Sequence, residues 1–152
     1  MHQFDLKNKT AVITGGAQGF GLDIAKKFLS SGSKVFIWDI DENELLKAVK
    51  EINNKDLNYN VVDVTNFDQI QKTVSDITSN NKIDILINNA GITGPTAELW
   101  NYNIKDWNSI ININLHGTFY CCKSIVPHMI KNNYGRIVNI ASVAGKDGNA
   151  NA

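Results

Sequence analysis

The 152-residue sequence contains only two cysteines, and these are adjacent at positions 121 and 122. Two neighbouring cysteines without further partners exclude a disulfide framework and lack the spacing of a zinc site. Charge of one sign is also not in excess, because 15 Lys and Arg balance 15 Asp and Glu. A chain without a basic excess is poorly suited to nucleic acids or acidic membranes, so we expect neither as a partner.

Long apolar runs are missing as well. No segment is long enough to span a bilayer, and the opening residues MHQFD do not resemble a secretory signal. We therefore expect a cytoplasmic protein. Hydrophobic residues make up 43% and charged residues 20%, as in an ordinary globular domain, and no repeat or linker divides the chain. The sequence predicts a single domain over residues 1–152.

What the sequence does contain is an alternation of short apolar runs and amphipathic stretches. The apolar runs predict five strands, at residues 10–14, 34–39, 59–64, 83–87 and 136–140. Apolar strands separated by helices form a parallel sheet that is covered on both faces. The right-handed crossover rule then predicts an α/β fold, a Rossmann-type doubly wound parallel sheet.

The predicted helices begin with recognisable caps. Residues 20–29 carry a helical apolar stripe that Ser31 and Gly32 end, and a capping box of Asp41 and Glu44 opens a helix that runs to residue 52. Thr65 is predicted to cap the third helix. A long helix is predicted across residues 107–129, with its last turns bent by Pro127.

A glycine-rich stretch, TGGAQGFG at residues 14–21, joins the first predicted strand to the first helix. Glycine permits a tight turn and lets the backbone approach a bulky anion closely. The following helix begins with free N–H groups and the positive end of its dipole, which suits a phosphate. This strand, turn and helix together predict a site for a nucleotide cofactor.

Asp39 ends the second predicted strand, 18 residues after Gly21. An acid at about this spacing accepts hydrogen bonds from the adenosine ribose and repels a 2′-phosphate, and neither Gln18 nor Ile40 supplies a cation for that phosphate. These residues favour NAD over NADP. The alternative is that Asp39 is an ordinary helix cap, although Asp41 is better placed for that role.

Four motifs in order resemble the short-chain dehydrogenase/reductase family, in the subgroup that includes the 3-oxoacyl carrier-protein reductases. They are TGGAQGFG at 14–21, NNAG at 88–91, INLHGTF at 113–119 and GRIVNIAS at 135–142. The resemblance covers the whole chain and implies a cofactor site. Its implied residues are Gly15, Gln18, Gly19, Phe20 and Gly21 in the turn, Asp63 and Val64 at the adenine, and Asn89, Ala90 and Gly91 along the cofactor.

The same resemblance implies two catalytic residues. Asn114 would kink its helix and hold a water of a proton relay on its backbone carbonyl, and Ser142 would bind the substrate oxygen. The alternatives are a buried helix asparagine that is satisfied locally and a serine that forms a turn after a strand. For Asn88 and Asn89 the alternative role is to tie the sheet edge to neighbouring loops.

The family's Tyr-x-x-x-Lys pair is absent up to Ala152, so the resemblance implies an N-terminal fragment whose sheet is truncated after the fifth strand and which is inactive by itself. The complete enzyme is expected to be a homo-dimer or homo-tetramer that transfers hydride between NAD, less favourably NADP, and a secondary alcohol or ketone. A 3-oxoacyl or sugar-acid substrate fits the resemblance. The alternatives are a non-catalytic dinucleotide-binding module and a methyltransferase.

Overall fold

A computed structural model describes residues 5–148, and its centre is a five-stranded sheet in the order β3-β2-β1-β4-β5. Every neighbouring pair of strands is parallel. The strands are β1 Thr10–Thr14, β2 Lys34–Asp39, β3 Leu57–Val61, β4 Ile85–Asn88 and β5 Arg136–Asn139. The doubly wound parallel sheet predicted from the sequence is confirmed.

Helices connect these strands and cover both faces of the sheet. They are α1 Gly19–Ser30, α2 Glu42–Ile52, α3 Phe67–Thr78, α4 Ile104–Ile110, α5 Thr118–Lys131 and α6 Ala144–Asp147. A 3-10 turn at Leu99–Asn101 precedes α4, and a π-helical segment, Ile111–Gly117, joins α4 to α5. Across the described residues 5–148, no helix combines the length and apolarity that crossing a bilayer requires.

Alternate residues of each central strand point into two separate hydrophobic clusters. On one face, Ile13 of β1 packs in a cluster with Ala25 of α1 and Leu45 of α2. On the other face, Val12 packs in a cluster with Ile70 of α3 and with Ile125 of α5. All five residues of β1 are buried, as expected for the central strand of a parallel sheet.

Two predictions around the third strand are wrong. The strand spans Leu57–Val61 rather than 59–64, because Leu57 already pairs with Val35 of β2 and Asp63 closes a turn. The Oδ1 atom of Asp63 accepts hydrogen bonds from both the backbone N–H and the hydroxyl of Thr65, at 2.8 and 2.7 Å. Thr65 is thus committed to this turn, and Asn66 caps α3 instead by accepting from the Gln69 N–H.

Other predicted boundaries also shift. The fourth strand spans Ile85–Asn88 rather than 83–87, and the fifth spans Arg136–Asn139 rather than 136–140. The long helix predicted across 107–129 is interrupted by the π-helical segment, while Pro127 lies inside α5 as expected. At the end of that segment a Cβ on Gly117 would lie 2.8 Å from Cγ2 of Val64, so a glycine allows this close approach.

Candidate functional site

A cleft of about 320 Å³ lies at the carboxyl edge of the sheet, where β1, β2 and β4 end. Eight of the predicted cofactor-binding residues line it: Gly15, Gln18, Asp39, Asp63, Val64, Asn89, Ala90 and Gly91. Five further lining residues were not predicted: Trp38, Ile40, Val62, Ile92 and Ile113. Each of these five directly neighbours a predicted residue or Asn114 in the sequence, and that adjacency is the signal that could have identified them.

The glycine-rich turn leads from β1 into α1. Gly15 and Gly19 adopt positive φ angles of 60° and 55°, a region that side chains other than those of Asn and Asp rarely enter. Gln18 occupies the N-cap of α1 without a side-chain hydrogen bond, and the first turn of the helix carries no acidic residue. By contrast, Asp41 caps α2 and Asn66 caps α3 with their side chains. The start of α1 is therefore open to an anion.

Three of the predicted turn residues lie outside the lining of the cleft. Gly19, Phe20 and Gly21 form the first residues of α1, and the side chain of Phe20 is 79% exposed. Gly21 is buried and packs closely against Gly15. Contact between these residues and a cofactor therefore stays a prediction.

Hydrogen bonds between Thr14 and Asn89 fasten the glycine turn to the end of β4. Nδ2 of Asn89 donates to the carbonyls of Thr14 and Gly15, at 3.0 and 2.9 Å. In return, Oγ1 of Thr14 accepts from the backbone N–H groups of Asn89 and Ala90, both at 3.0 Å. The alternative role for Asn89, tying the sheet edge to a loop, is thus present in the structure. The sequence predicted Thr14 only as the first residue of the glycine-rich stretch and assigned its side chain no role, although a threonine that closes an apolar strand is the signal.

Asn88 performs a similar tying role one residue earlier. Its Nδ2 donates to Oδ1 of Asn139 at 2.8 Å, which links the ends of β4 and β5. The backbone also continues this link, because the Ile140 N–H donates to the Asn88 carbonyl at 2.8 Å. The two asparagines of the NNAG motif therefore join three adjacent strands at the edge that carries the cleft.

Asp39 holds two backbone groups of the site with its carboxylate. Oδ2 accepts from the Ala17 N–H in the glycine turn at 3.2 Å, and Oδ1 accepts from the Asp41 N–H at 3.3 Å. Asp41 itself caps α2 by accepting from Asn43 and Glu44, so the alternative that Asp39 is the helix cap is wrong.

The capping box predicted at the start of α2 is only half formed. Asp41 caps the helix, but Oε1 of Glu44 accepts from Lys47 Nζ, and the Asp41 N–H that a capping box would offer to Glu44 donates to Asp39. This arrangement leaves the Asp39 carboxylate at the cleft. No Lys, Arg or His occurs among the described residues that line the cleft, so the charge of Asp39 has no cationic partner there.

Asn114 lies on the π-helical segment and bonds across to the loop after β4. Its Oδ1 accepts from the Ile92 N–H at 2.9 Å, and its Nδ2 donates to the Ile92 carbonyl at 2.8 Å. The alternative of a buried, locally satisfied asparagine is wrong, because Asn114 is exposed and its amide bonds a residue 22 positions away. The side chain fixes the loop that borders the cleft.

Ser142 lies three residues past the end of β5, at the same edge of the sheet as the cleft. Its side chain is exposed, and Oγ accepts a hydrogen bond from the Ala144 N–H at 3.2 Å. The Gly145 N–H donates to the Ser142 carbonyl, so the residue forms a turn as the alternative expected. Ser142 does not line the described cleft, and its catalytic role stays a prediction.

The buried thiol of Cys121 gives a direct test of the core on the α5 face. Burial, and then the neighbouring Cys122, raise the pKa of the Cys121 thiol to about 12. Because the thiolate is the reactive form, we expect iodoacetamide at pH 8 to leave Cys121 unmodified in the native protein and to modify it after unfolding. Peptide mapping by mass spectrometry checks this, and rapid native labelling of Cys121 would contradict its placement in the core.

The known proteins that this chain resembles are dehydrogenases and reductases. The chain matches the family model described as short chain dehydrogenase over residues 9–152. It is 41% identical over 146 residues to a 2-dehydro-3-deoxy-L-rhamnonate dehydrogenase (NAD(+)) of a Sphingomonas species, which covers 95% of this chain and 57% of that protein. It is 37% identical over 148 residues to the 3-oxoacyl-(acyl-carrier-protein) reductase FabG of Chlamydia pneumoniae, covering 95% and 59%.

The solved structure of one dehydrogenase is similar to this chain over nearly its whole length. The crystal structure of an NAD+-bound xylitol dehydrogenase superposes with a TM-score of 0.89 at 35% identity, covering 96% of this chain and 57% of that one. The chain thus spans between 57% and 59% of the length of these three relatives. A family model that matches nearly the whole sequence, on this sheet and with this cleft, shows that the chain belongs to the short-chain dehydrogenase family.

Proposed function

We propose that the protein in its full-length form is an NAD-dependent oxidoreductase that transfers hydride between the nicotinamide and a secondary alcohol or ketone. The observation that carries this proposal is the Asp39 carboxylate, which lies at the cleft and holds the Ala17 N–H of the glycine turn. The relatives named as an NAD(+) dehydrogenase and as an NAD+-bound dehydrogenase support a nicotinamide cofactor.

The residues of the cleft fit such a cofactor. The uncapped start of α1 suits a pyrophosphate, and the oxygens of Asp39 suit the hydroxyls of the adenosine ribose. Val64 and Ile113 supply apolar surface for the adenine ring. When bound, the nicotinamide accepts or donates the hydride, and the protein supplies binding and orientation.

We assign the remaining chemistry to the residues that the family resemblance implies. The Asn114 carbonyl holds a water of the proton relay, Ser142 orients the substrate oxygen, and a Tyr-x-x-x-Lys pair of the full-length protein exchanges the proton. The relatives' names support a sugar acid or a 3-oxoacyl compound as substrate. A cytoplasmic homo-oligomer is part of the same proposal.

The preference for NAD is tested by isothermal titration of the full-length protein with both cofactors. We expect NAD to bind at least tenfold more tightly than NADP, because the Asp39 carboxylate accepts from the ribose and repels a 2′-phosphate. Asp39→Ala should reduce this preference by about 1–3 kcal/mol through the loss of charge-assisted hydrogen bonds. Asp68→Ala in the first turn of α3 removes an equal charge away from the cleft and should leave the ratio unchanged. A tenfold preference for NADP in the unmodified protein would contradict the assignment.

A second candidate is a dinucleotide-binding module without catalysis. It is supported by the cleft itself, which is lined by eight of the predicted cofactor-binding residues and does not include Ser142. The two candidates differ in one measurement, the transfer of deuterium from deuterated NADH to a panel of ketones. Tight NAD binding without any transfer would favour the module. The membership in a dehydrogenase family removes the methyltransferase alternative.

A further inference from the structure

A side-chain hydrogen bond reaches the backbone carbonyl of Asn114 in the π-helical segment. In an α-helix this carbonyl would accept from the N–H of Thr118, four residues later. In the π-helical segment, backbone N–H groups donate five residues back instead of four. The hydroxyl of Thr118 supplies a side-chain donor here, because its Oγ1 donates to the Asn114 carbonyl at 2.9 Å.

Asn114 is held from two directions as a result. Its amide is bound to both backbone groups of Ile92, and its carbonyl is bound by the Thr118 hydroxyl. A carbonyl oxygen has two lone pairs, and one hydroxyl donor occupies only one of them. The second lone pair can accept from a water, because Asn114 and its surroundings are exposed.

We propose that Thr118 is a positioning residue of the proton relay, whose hydroxyl aims the Asn114 carbonyl at the relay water. The inference rests on the proposed function, in which that water passes the substrate proton on. Hydroxyl donation from four residues ahead is also known to bend helices, which agrees with the end of the π-helical segment at Gly117. Thr118 does not line the cleft, so we assign it to positioning and not to contact with the substrate or cofactor.

The chain offers a matched control for this bond. Oγ1 of Thr73 donates to the carbonyl of Gln69 at 2.9 Å, with the same spacing and length, but inside the regular helix α3. Thr73 is buried in α3, and it does not line the cleft. Thr73→Val removes the same hydrogen bond at a place where no relay is proposed.

The test compares Thr118→Val, Thr118→Ser and Thr73→Val in the full-length protein during alcohol oxidation. In Thr118→Val we expect kcat to fall about tenfold, its pH profile to move to higher pH and its solvent deuterium isotope effect to rise, because proton release becomes limiting. The Kd for NAD should stay unchanged. Thr118→Ser keeps the hydroxyl and should restore all three properties, and Thr73→Val should change none of them. A Thr118→Val enzyme with the pH profile and isotope effect of the unmodified protein overturns the proposal.

A second readout does not depend on activity. Thr118→Val should increase amide exchange across residues 111–119, and Thr118→Ser should not. If the unmodified protein binds NAD but oxidises no alcohol, the proposed function and the relay fail together, and the exchange comparison then tests separately whether the Thr118 hydroxyl holds the Asn114 carbonyl. Equal exchange in the valine and serine variants would overturn it.

Discussion

Replacing Gly21 with alanine is expected to weaken NAD binding about 100-fold. A Cβ at this position would overlap the carbonyl oxygen of Gly15 and lie 2.7 Å from Nδ2 of Asn89. Neither neighbour can move freely, because the same Asn89 amide donates to the carbonyls of Thr14 and Gly15. The added methyl group therefore pushes the start of α1 away from the glycine turn.

The expected effect combines instability with loss of the anion site. Forcing an extra carbon into a packed position costs about 1–3 kcal/mol of stability. Separation of α1 from the turn also removes the N–H groups that face the pyrophosphate, and a 100-fold weaker Kd corresponds to about 2.8 kcal/mol. Titration with NAD at a temperature where the variant remains folded measures the second effect separately from the first.

Gly145→Ala is the control for this substitution. A Cβ at Gly145 would meet nothing within 4 Å among residues 5–148, and Gly145 does not adopt a positive φ. It should leave both the melting temperature and the Kd for NAD unchanged. NAD binding by Gly21→Ala within threefold of the unmodified protein would show that α1 does not pack on the turn as described.

The sequence predicted best where polar residues interrupt apolar runs sharply. Both β1 and β2 have the predicted bounds. Ser31 and Gly32 separate α1 from β2, and Asp39 is the polar residue that ends β2. The bounds of β3 were mispredicted because it contains Asn58 and Asn60. Polar residues on an edge strand are hard to distinguish in sequence from those of the following turn. An edge strand is half solvated, so its composition carries less information than that of a buried one.

The site was predictable in its position but not in its internal connections. Parallel strands bring their carboxyl ends to one edge, so Asp39 and Asn89 had to meet the glycine turn. The apolar spacing of residues 107–129 is compatible with an uninterrupted helix, so only the family resemblance indicated a kink at Asn114. The hydrogen bond of the Thr118 hydroxyl had no sequence signal. Hydrogen bonds of this kind depend on which donor reaches each backbone carbonyl, and that is determined only when the chain is folded.

Thr14→Val is expected to lower the free energy of unfolding by about 2–4 kcal/mol, although the two side chains have the same shape. Thr14 is only 2% exposed, and its Oγ1 accepts from the N–H groups of Asn89 and Ala90. Valine has no acceptor, so both donors lose their partner in a place that water reaches poorly. Each unsatisfied buried donor costs about 1–3 kcal/mol.

Thr14→Ser separates the hydrogen bonds from the packing. Serine keeps the oxygen that accepts from Asn89 and Ala90 and removes only a methyl group, so it should cost about 1 kcal/mol. Urea unfolding of the full-length protein measures both variants. A valine variant as stable as the serine variant would mean that the Thr14 hydroxyl does not organise the junction of β1 and β4. The expected order, with valine the less stable, would identify this hydroxyl as the link that holds the NNAG loop against the glycine turn.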